Sequence, residues 1–296
     1  MDNATDQPKT LVLGGTGKTG RRVVQQLTGQ GIAVRVGSRS AEIPFDWLDQ
    51  STWKPVVQHV KAVYLAYQPD LAVPGAVRAI SDFTQMAVEN GVRQFVLLSG
   101  RGEPEAQACE QVVMQSGADW TILRSSWFCQ NFSEGYLLEP IQAGYVVLPV
   151  ASIGEPFIDI DDIADVAVAA LTQPGHGGKI YELTGPRLLT FAEAVDEIAR
   201  ATGRSIHYEQ VPIDNYNAML TEFGVPKEAI DLTTYLFTEV MDGRNATLAN
   251  GVEQALGRQP TDFADFVRKS IGMGMWTEKA ANEGTGSIRS SEVESR

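Results

Sequence analysis

The 296-residue sequence predicts an α/β fold: a doubly wound, mostly parallel sheet with a smaller C-terminal α/β lobe. Three observations predict it. Short β-branched or Leu-rich runs alternate with segments of helical spacing through the first half, a glycine-spaced turn joins the first run to the first helix, and the rhythm becomes irregular past Arg124.

The strands expected in order are Thr10 to Gly14, Ala33 to Gly37, Ala62 to Ala66, Gln94 to Ser99 and Trp120 to Leu123, each bounded by Gly or polar residues. Between them, helical spacing recurs at Val23, Val24 and Leu27, at Val77, Ile80, Phe83 and Val88, and at Val112, Val113 and Met114. Pro74 and Pro104 stand near helix starts, where a missing N–H costs little, and Gly91 and Gly117 follow helix ends, where the left-handed cap suits a residue without Cβ. Further on, Asp161-Asp162 opens a helix through Leu171, with both carboxylates at its positive end. A strand over Lys179 to Leu183, a helix over Phe191 to Ala201 and a strand over Ile206 to Glu209 follow. Helices are then expected at Asp214 to Glu222, Lys227 to Met241 and Thr261 to Ile271.

Composition excludes several classes of function. With 24 Lys and Arg against 37 Asp and Glu, the net charge of −13 argues against nucleic acid or an anionic membrane as partner. Cys109 and Cys129 have no CxxC or Cys/His spacing, which predicts free thiols in a reducing compartment. A polar Met1 to Pro8 and the lack of a long apolar stretch lead to the expectation of a cytoplasmic protein. His59, His176 and His207 lack metal spacing, and Asp159, Asp161, Asp162 and Asp165 lack the glycine and terminal Glu of a calcium loop, so no metal is expected.

The strongest motif is Leu11-Val12-Leu13-Gly14-Gly15-Thr16-Gly17-Lys18-Thr19-Gly20, a strand entering Gly-x-x-Gly-x-x-Gly and then a helix. Gly14, Gly17 and Gly20 allow a tight turn, close approach of backbone N–H groups to a pyrophosphate, and close packing of helix on strand. The helix N-terminus, with Thr16, Lys18 and Thr19 beside it, favours that anion. These features predict dinucleotide binding on a Rossmann-type sheet. Mainly residues 1–150 would form the NADP-binding domain and mainly 151–276 a substrate lobe, with some exchange of segments; 277–296, rich in Glu, Lys, Gly and Ser, would be a disordered tail.

At the end of the second strand, Ser38 and Arg39 stand where an NAD site wants an acidic residue. A guanidinium beside small hydroxyls suits a 2′-phosphate, which predicts NADP(H) over NAD(H), with Glu42 left as an alternative partner for a ribose.

Gly14 to Val23, Ser38-Arg39, Phe45-Asp46-Trp47, Leu97 to Gly100, Thr121 to Arg124 and Trp127 to Phe132, extended by Phe157 to Leu171 and Tyr181 to Pro186, resemble the NmrA-like branch of the atypical short-chain dehydrogenase/reductases. Within it, the sequence looks most similar to bacterial relatives of the ergot-alkaloid reductases, the festuclavine/agroclavine synthase group. The resemblance implies that Asp46 and Trp47 lie near the adenine, Ala66 and Tyr67 beside the cofactor, and Ser99 and Gly100 near the nicotinamide. It also implies that Trp127, Phe128 and Asn131 line the acceptor pocket, although plain core packing is the alternative for these aromatics.

One departure bears on the chemistry. Short-chain dehydrogenases use a Tyr four residues before a Lys, and none of the eight tyrosines here has a Lys at that spacing. The helix that would carry the pair reads Glu103 to Glu110, with Ala106 where many relatives keep a Lys or His. The expectation is therefore an NADPH-dependent reductase of a small-molecule acceptor that needs only hydride: an imine or iminium, a quinone or a conjugated compound. Tyr67 and Ser99 are the candidate proton donors. A non-catalytic NADP(H)-sensing regulator is the alternative.

Overall fold

The computed structural model describes residues 9–150 and 152–276, so the tail expected over 277–296 lies outside the described residues. The strands are β1 (Lys9–Leu13), β2 (Val34–Gly37), β3 (Val60–Leu65), β4 (Gln94–Gly100), β5 (Asp119–Ser125), β6 (Tyr145–Leu148), β7 (Lys179–Leu183) and β8 (His207–Gln210). The helices are α1 (Lys18–Gly29), α2 (Trp53–Val56), α3 (Ala76–Glu89), α4 (Pro104–Met114), α5 (Leu138–Ala143), α6 (Ile160–Thr172), α7 (Phe191–Thr202), α8 (Ile213–Glu222), α9 (Lys227–Tyr235), α10 (Gly251–Leu256) and α11 (Phe263–Gly272).

The chain divides into two compact units. The first holds the described residues up to Ser126 together with Ile160–Thr184 and Ala249–Pro260. Its sheet runs β2-β1-β3-β4-β5-β7 with every neighbouring pair parallel. Alternate residues of a strand face opposite sides of a sheet. Leu11, Leu13, Val63, Leu65, Phe95, Leu97 and Ile122 accordingly share a core with Ile80, Phe83 and Ala87 of α3 and Ala106, Cys109 and Val113 of α4. On the opposite side α1 packs on α6, burying Val23 and Leu27 with Ile163, Val166 and Ala167. The doubly wound parallel sheet is thus the observed fold.

The two units are built from interleaved segments. The first unit ends its first segment at Ser126 and takes back Ile160–Thr184, because β7 pairs in register with β5, Thr121 opposite Lys179 through Ser125 opposite Leu183. It takes back Ala249–Pro260 because α10 packs on β7 and α6. A Cβ on Gly251 would lie only 2.3 Å from the Glu182 carbonyl oxygen, a closeness only glycine permits.

The second unit comprises Trp127–Asp159, Gly185–Leu248 and the described residues from Thr261 on. It contains the two-stranded parallel sheet of β6 and β8 and an aromatic core. In that core Phe132 lies 5.3 Å from both Phe157 and Phe263, and Phe157 lies 5.0 Å from Phe191. Strand β6 was not foreseen: four residues between Gly144 and Pro149 carry no period long enough to register. The helix expected over Lys227 to Met241 is α9 followed by a π-helical turn, Leu236–Val240. Arg187 ties this unit together, donating to Glu197 at 2.7 and 2.8 Å and to Asp262 at 2.7 and 2.9 Å.

Asp262 also caps α11, accepting from the Ala264 N–H at 2.8 Å. The Arg187 guanidinium, and then this backbone bond, hold the Asp262 carboxyl below the usual carboxylate range. Because the folded value is depressed, the stabilisation is complete above the unfolded carboxylate value, about 3.9, and is lost as pH falls through the folded one. Asp262→Asn is expected to lower stability at neutral pH and flatten its decline in acid, measured by urea unfolding at several pH values.

Candidate functional site

The loop after β1 is shaped by its glycines. Gly14 has a φ of +63°, the left-handed conformation that favours glycine, and turns the chain directly after Leu13. The Gly17 N–H then donates to the Gly14 carbonyl at 2.9 Å, and Gly17 caps the start of α1. A Cβ on Gly20 would lie 2.2 Å from the Gly14 oxygen, so the first turn of α1 rests directly on the loop. Gly17 leaves the third gap: a Cβ there would meet only the Gly14 oxygen at 3.2 Å and Gln68 Nε2 at 3.8 Å. Thr16 is exposed, Lys18 half-buried and Thr19 buried. Arg22 holds α1 in place, donating from Nη1 to the Lys18 carbonyl at 2.9 Å and from Nε to Asp161 at 2.5 Å.

Strand order places this loop at a reversal. β2 leaves β1 on one side and β3 joins on the other, and in open parallel sheets ligands bind beyond the strand ends at such a switch point. Across it, a Cβ on Gly14 would touch the Ala66 Cβ at 3.4 Å, so the loop after β1 and the end of β3 lie side by side. The Trp47 indole N–H donates to the Ala66 carbonyl at 3.3 Å, and its ring meets Tyr67 at 4.8 Å, Phe45 at 4.9 Å and Phe83 at 5.3 Å. Asp46 serves its own turn: its carboxylate accepts from Leu48 N–H at 3.0 Å and its carbonyl from the Trp53 indole at 2.8 Å. Leu48 projects into solvent, 92% exposed. After β2, Ser38 accepts from Phe45 N–H at 3.0 Å through its carbonyl. Arg39 is exposed and, among the described residues, forms no ion pair.

At the ends of β4 and β5 lies a charged network not foreseen as a whole. The Ser99 hydroxyl donates to Glu110 Oε1 at 2.7 Å, and Glu110, 0% exposed on α4, accepts from Arg124 at 2.6 to 3.0 Å. Arg124 reaches Glu182 at 3.6 Å, and Glu182 pairs with Arg101 at 3.1 Å. The hydrogen bond from Arg124 to Glu110 raises the Arg124 pKa. Glu110 follows Ala106 at helical spacing on the segment that lacks the Tyr/Lys pair, the one signal that pointed there. Tyr67 is half-buried; burial, and then Cys109, raise its phenol pKa, so it stays protonated. Burial, with Glu110 and Asp70, pushes the Cys109 thiol up to about 12.

In the second unit, Trp127, Phe128 and Asn131 are all buried. The Trp127 N–H donates to Glu155 at 3.2 Å, its carbonyl accepts from Ile158 N–H at 2.9 Å, and Asn131 N–H donates to the Phe128 carbonyl at 3.1 Å. The Trp127 ring packs on Phe191 at 5.5 Å and Phe237 at 5.2 Å. Phe132 belongs to the aromatic core. The acidic residues around the start of α6 are partnered: Asp161 by Arg22, Asp162 and Asp165 by Arg258 at 2.6 and 2.5 Å, and Asp159 by Gln130 at 2.6 Å. His176 is buried against the Tyr181 hydroxyl at 2.9 Å. No helix of the described residues is long and apolar enough to cross a membrane.

Residues 14–174 match the family described as NAD(P)H-binding. The chain is 33% identical over 280 residues to agroclavine dehydrogenase of Claviceps fusiformis, covering 87% of this chain and 95% of that protein. It is 28% identical over 288 residues to the NAD(P)H azoreductase of Xenophilus azovorans, covering 87% and 96%. Its fold is similar to that of the NADPH-dependent quinone oxidoreductase of Escherichia coli in complex with NADPH, with a TM-score of 0.71, 20% identity, and coverage of 88% of this chain and 99% of that one.

Two substitutions test this architecture. Gly20→Ala forces a side chain against backbone and is expected to cost about 1–3 kcal/mol in denaturant unfolding and to weaken dinucleotide binding. Glu110→Ala, which leaves Arg124 short of its buried partner, is expected to cost about 3–5 kcal/mol in the same measurement.

Proposed function

Because the chain belongs to the NAD(P)H-binding family and is an NAD(P)H-dependent oxidoreductase, we propose that it is an NADPH-dependent reductase of small organic acceptors that need hydride but no enzyme-bound proton relay. The observation that carries this reading is the face α4 turns to Ser99. Where a Tyr/Lys pair would polarise a carbonyl, the helix offers Ala106 and Glu110, and Glu110 accepts the Ser99 proton. Such an arrangement suits poorly the reduction of a simple ketone, whose oxygen must gain a proton as its carbon gains hydride.

The glycine loop fits a pyrophosphate. The space at Gly17 that a Cβ would fill, the N-terminus of α1 and the half-buried Lys18 supply backbone N–H groups and positive charge for it. Exposed Arg39, beside Ser38, is the residue for a 2′-phosphate, to which a guanidinium presents a fork of donors. Trp47, Ala66 and Tyr67 wall the adjoining strand end, and Ser99 and Gly100 stand at the end of β4. The bound nicotinamide supplies the hydride. Trp127, Phe128 and Asn131 are the residues assigned to the acceptor. An iminium carbon that takes hydride becomes a neutral amine directly, and a quinone that takes hydride needs one further proton, which water can supply, so here the protein mainly holds the two reactants together. The relatives, a clavine dehydrogenase and an azoreductase, support acceptors of this conjugated kind and do not favour a purely sensing role.

The test is NADPH oxidation with a panel holding a cyclic iminium, a naphthoquinone, an azo dye and simple ketones. Turnover of the first three classes without the ketones is expected; turnover of ketones alone overturns the reading. Arg39→Ala should weaken NADPH binding by about 1.5–3 kcal/mol and leave NADH nearly unchanged, measured by titration calorimetry. An equal loss for both cofactors removes Arg39 from the phosphate site.

A further inference from the structure

The second unit encloses the hydroxyl of a half-buried tyrosine that its own fold does not use. Tyr136 lies between the Trp127–Phe132 segment and α5, where Leu137 N–H donates to the Asn131 carbonyl at 3.2 Å. Its hydroxyl is closed off from water and, among the described residues, has no hydrogen-bond partner. Buried phenols normally find one, because a polar group stripped of water and left unmatched destabilises the fold. Such violations are expected at functional sites.

The surroundings suggest what the hydroxyl is for. Of the two neighbouring tyrosines, Tyr208 has committed its hydroxyl to the Val150 carbonyl at 2.5 Å. Tyr216 meets Phe237 at 6.0 Å, and Phe237 meets Trp127 at 5.2 Å, so an aromatic row connects this region to the residue assigned to the acceptor. Phe237 stands in the π-helical turn Leu236–Val240, a distortion frequent at functional sites. Burial keeps the Tyr136 phenol protonated, hence available as a donor across the physiological range.

We infer that Tyr136 is the hydrogen-bond donor that recognises the acceptor, an aromatic molecule with a carbonyl oxygen or an unsaturated nitrogen conjugated to its ring. The inference rests on the reductase reading above for the use of the site. The hydroxyl would find in the bound acceptor the partner that the fold withholds from it.

Tyr136→Phe in the full chain separates this role from a structural one, since removing an unmatched buried hydroxyl relieves the fold. Thermal unfolding is measured together with equilibrium dialysis of 2-methyl-1,4-naphthoquinone and of 2-methylnaphthalene, which has the same ring system without the oxygens. The variant is expected to melt no lower than the parent, bind the quinone about tenfold more weakly, and bind the hydrocarbon equally well. KM for the quinone should rise in parallel. Unchanged quinone affinity overturns the inference, and so does a lower melting temperature accompanying weaker binding, which marks the hydroxyl as structural. If the parent oxidises NADPH with the quinone and the variant does so with the same KM, this inference alone fails. If the parent distinguishes quinone from hydrocarbon through Tyr136 yet turns over no acceptor, the binding role stands and the reductase reading fails.

Discussion

The first unit depends on one close approach of backbone to backbone. At Gly20 the first turn of α1 rests on the carbonyl of Gly14, with 2.2 Å where a Cβ would be. That contact fixes where α1 begins, and so where its first N–H groups point. It also lets the loop after β1 lie flat beside Ala66 at the end of β3, at the place where strand order reverses. A bulkier residue would lift the helix and fill the space in which an anion could meet the backbone.

Charge organises the neighbouring strand ends. A carboxylate as deeply buried as Glu110 is tolerable only with close donors, and it has them in Ser99 and Arg124. Arg124 in turn shares Glu182 with Arg101, so the ends of β4, β5 and β7 are linked by alternating charges. The Ser99 hydroxyl donates inward, to the Glu110 carboxylate that Arg124 pairs. These contacts tie the strand ends to one another.

The second unit solves a different problem. Its two short strands cannot form a core, so Phe132, Phe157, Phe191 and Phe263 do, and Arg187 fastens the segments around them through Glu197 and Asp262. Beside this framework, the Tyr136 hydroxyl, without a hydrogen-bond partner among the described residues, is a group the fold tolerates rather than uses.

Much of the first unit was legible in the sequence, because its determinants are local. The Gly14-x-x-Gly17-x-x-Gly20 spacing, the period of the apolar residues and the Pro and Gly at helix ends act within a few residues, and the strands and helices formed where those signals lay. The absence of a Tyr/Lys pair was likewise a matter of spacing. What only the tertiary structure decided involves residues far apart in the chain. The return of Ile160–Thr184 and Ala249–Pro260 to the first unit depends on β7 pairing with β5 and Gly251 fitting against Glu182. The network of Ser99, Glu110, Arg124 and Glu182, the partners of the acidic residues around α6, and the isolation of Tyr136 depend on which side chains meet after packing. Hydrogen bonding and desolvation are set by three-dimensional neighbours, and residue order alone does not specify those.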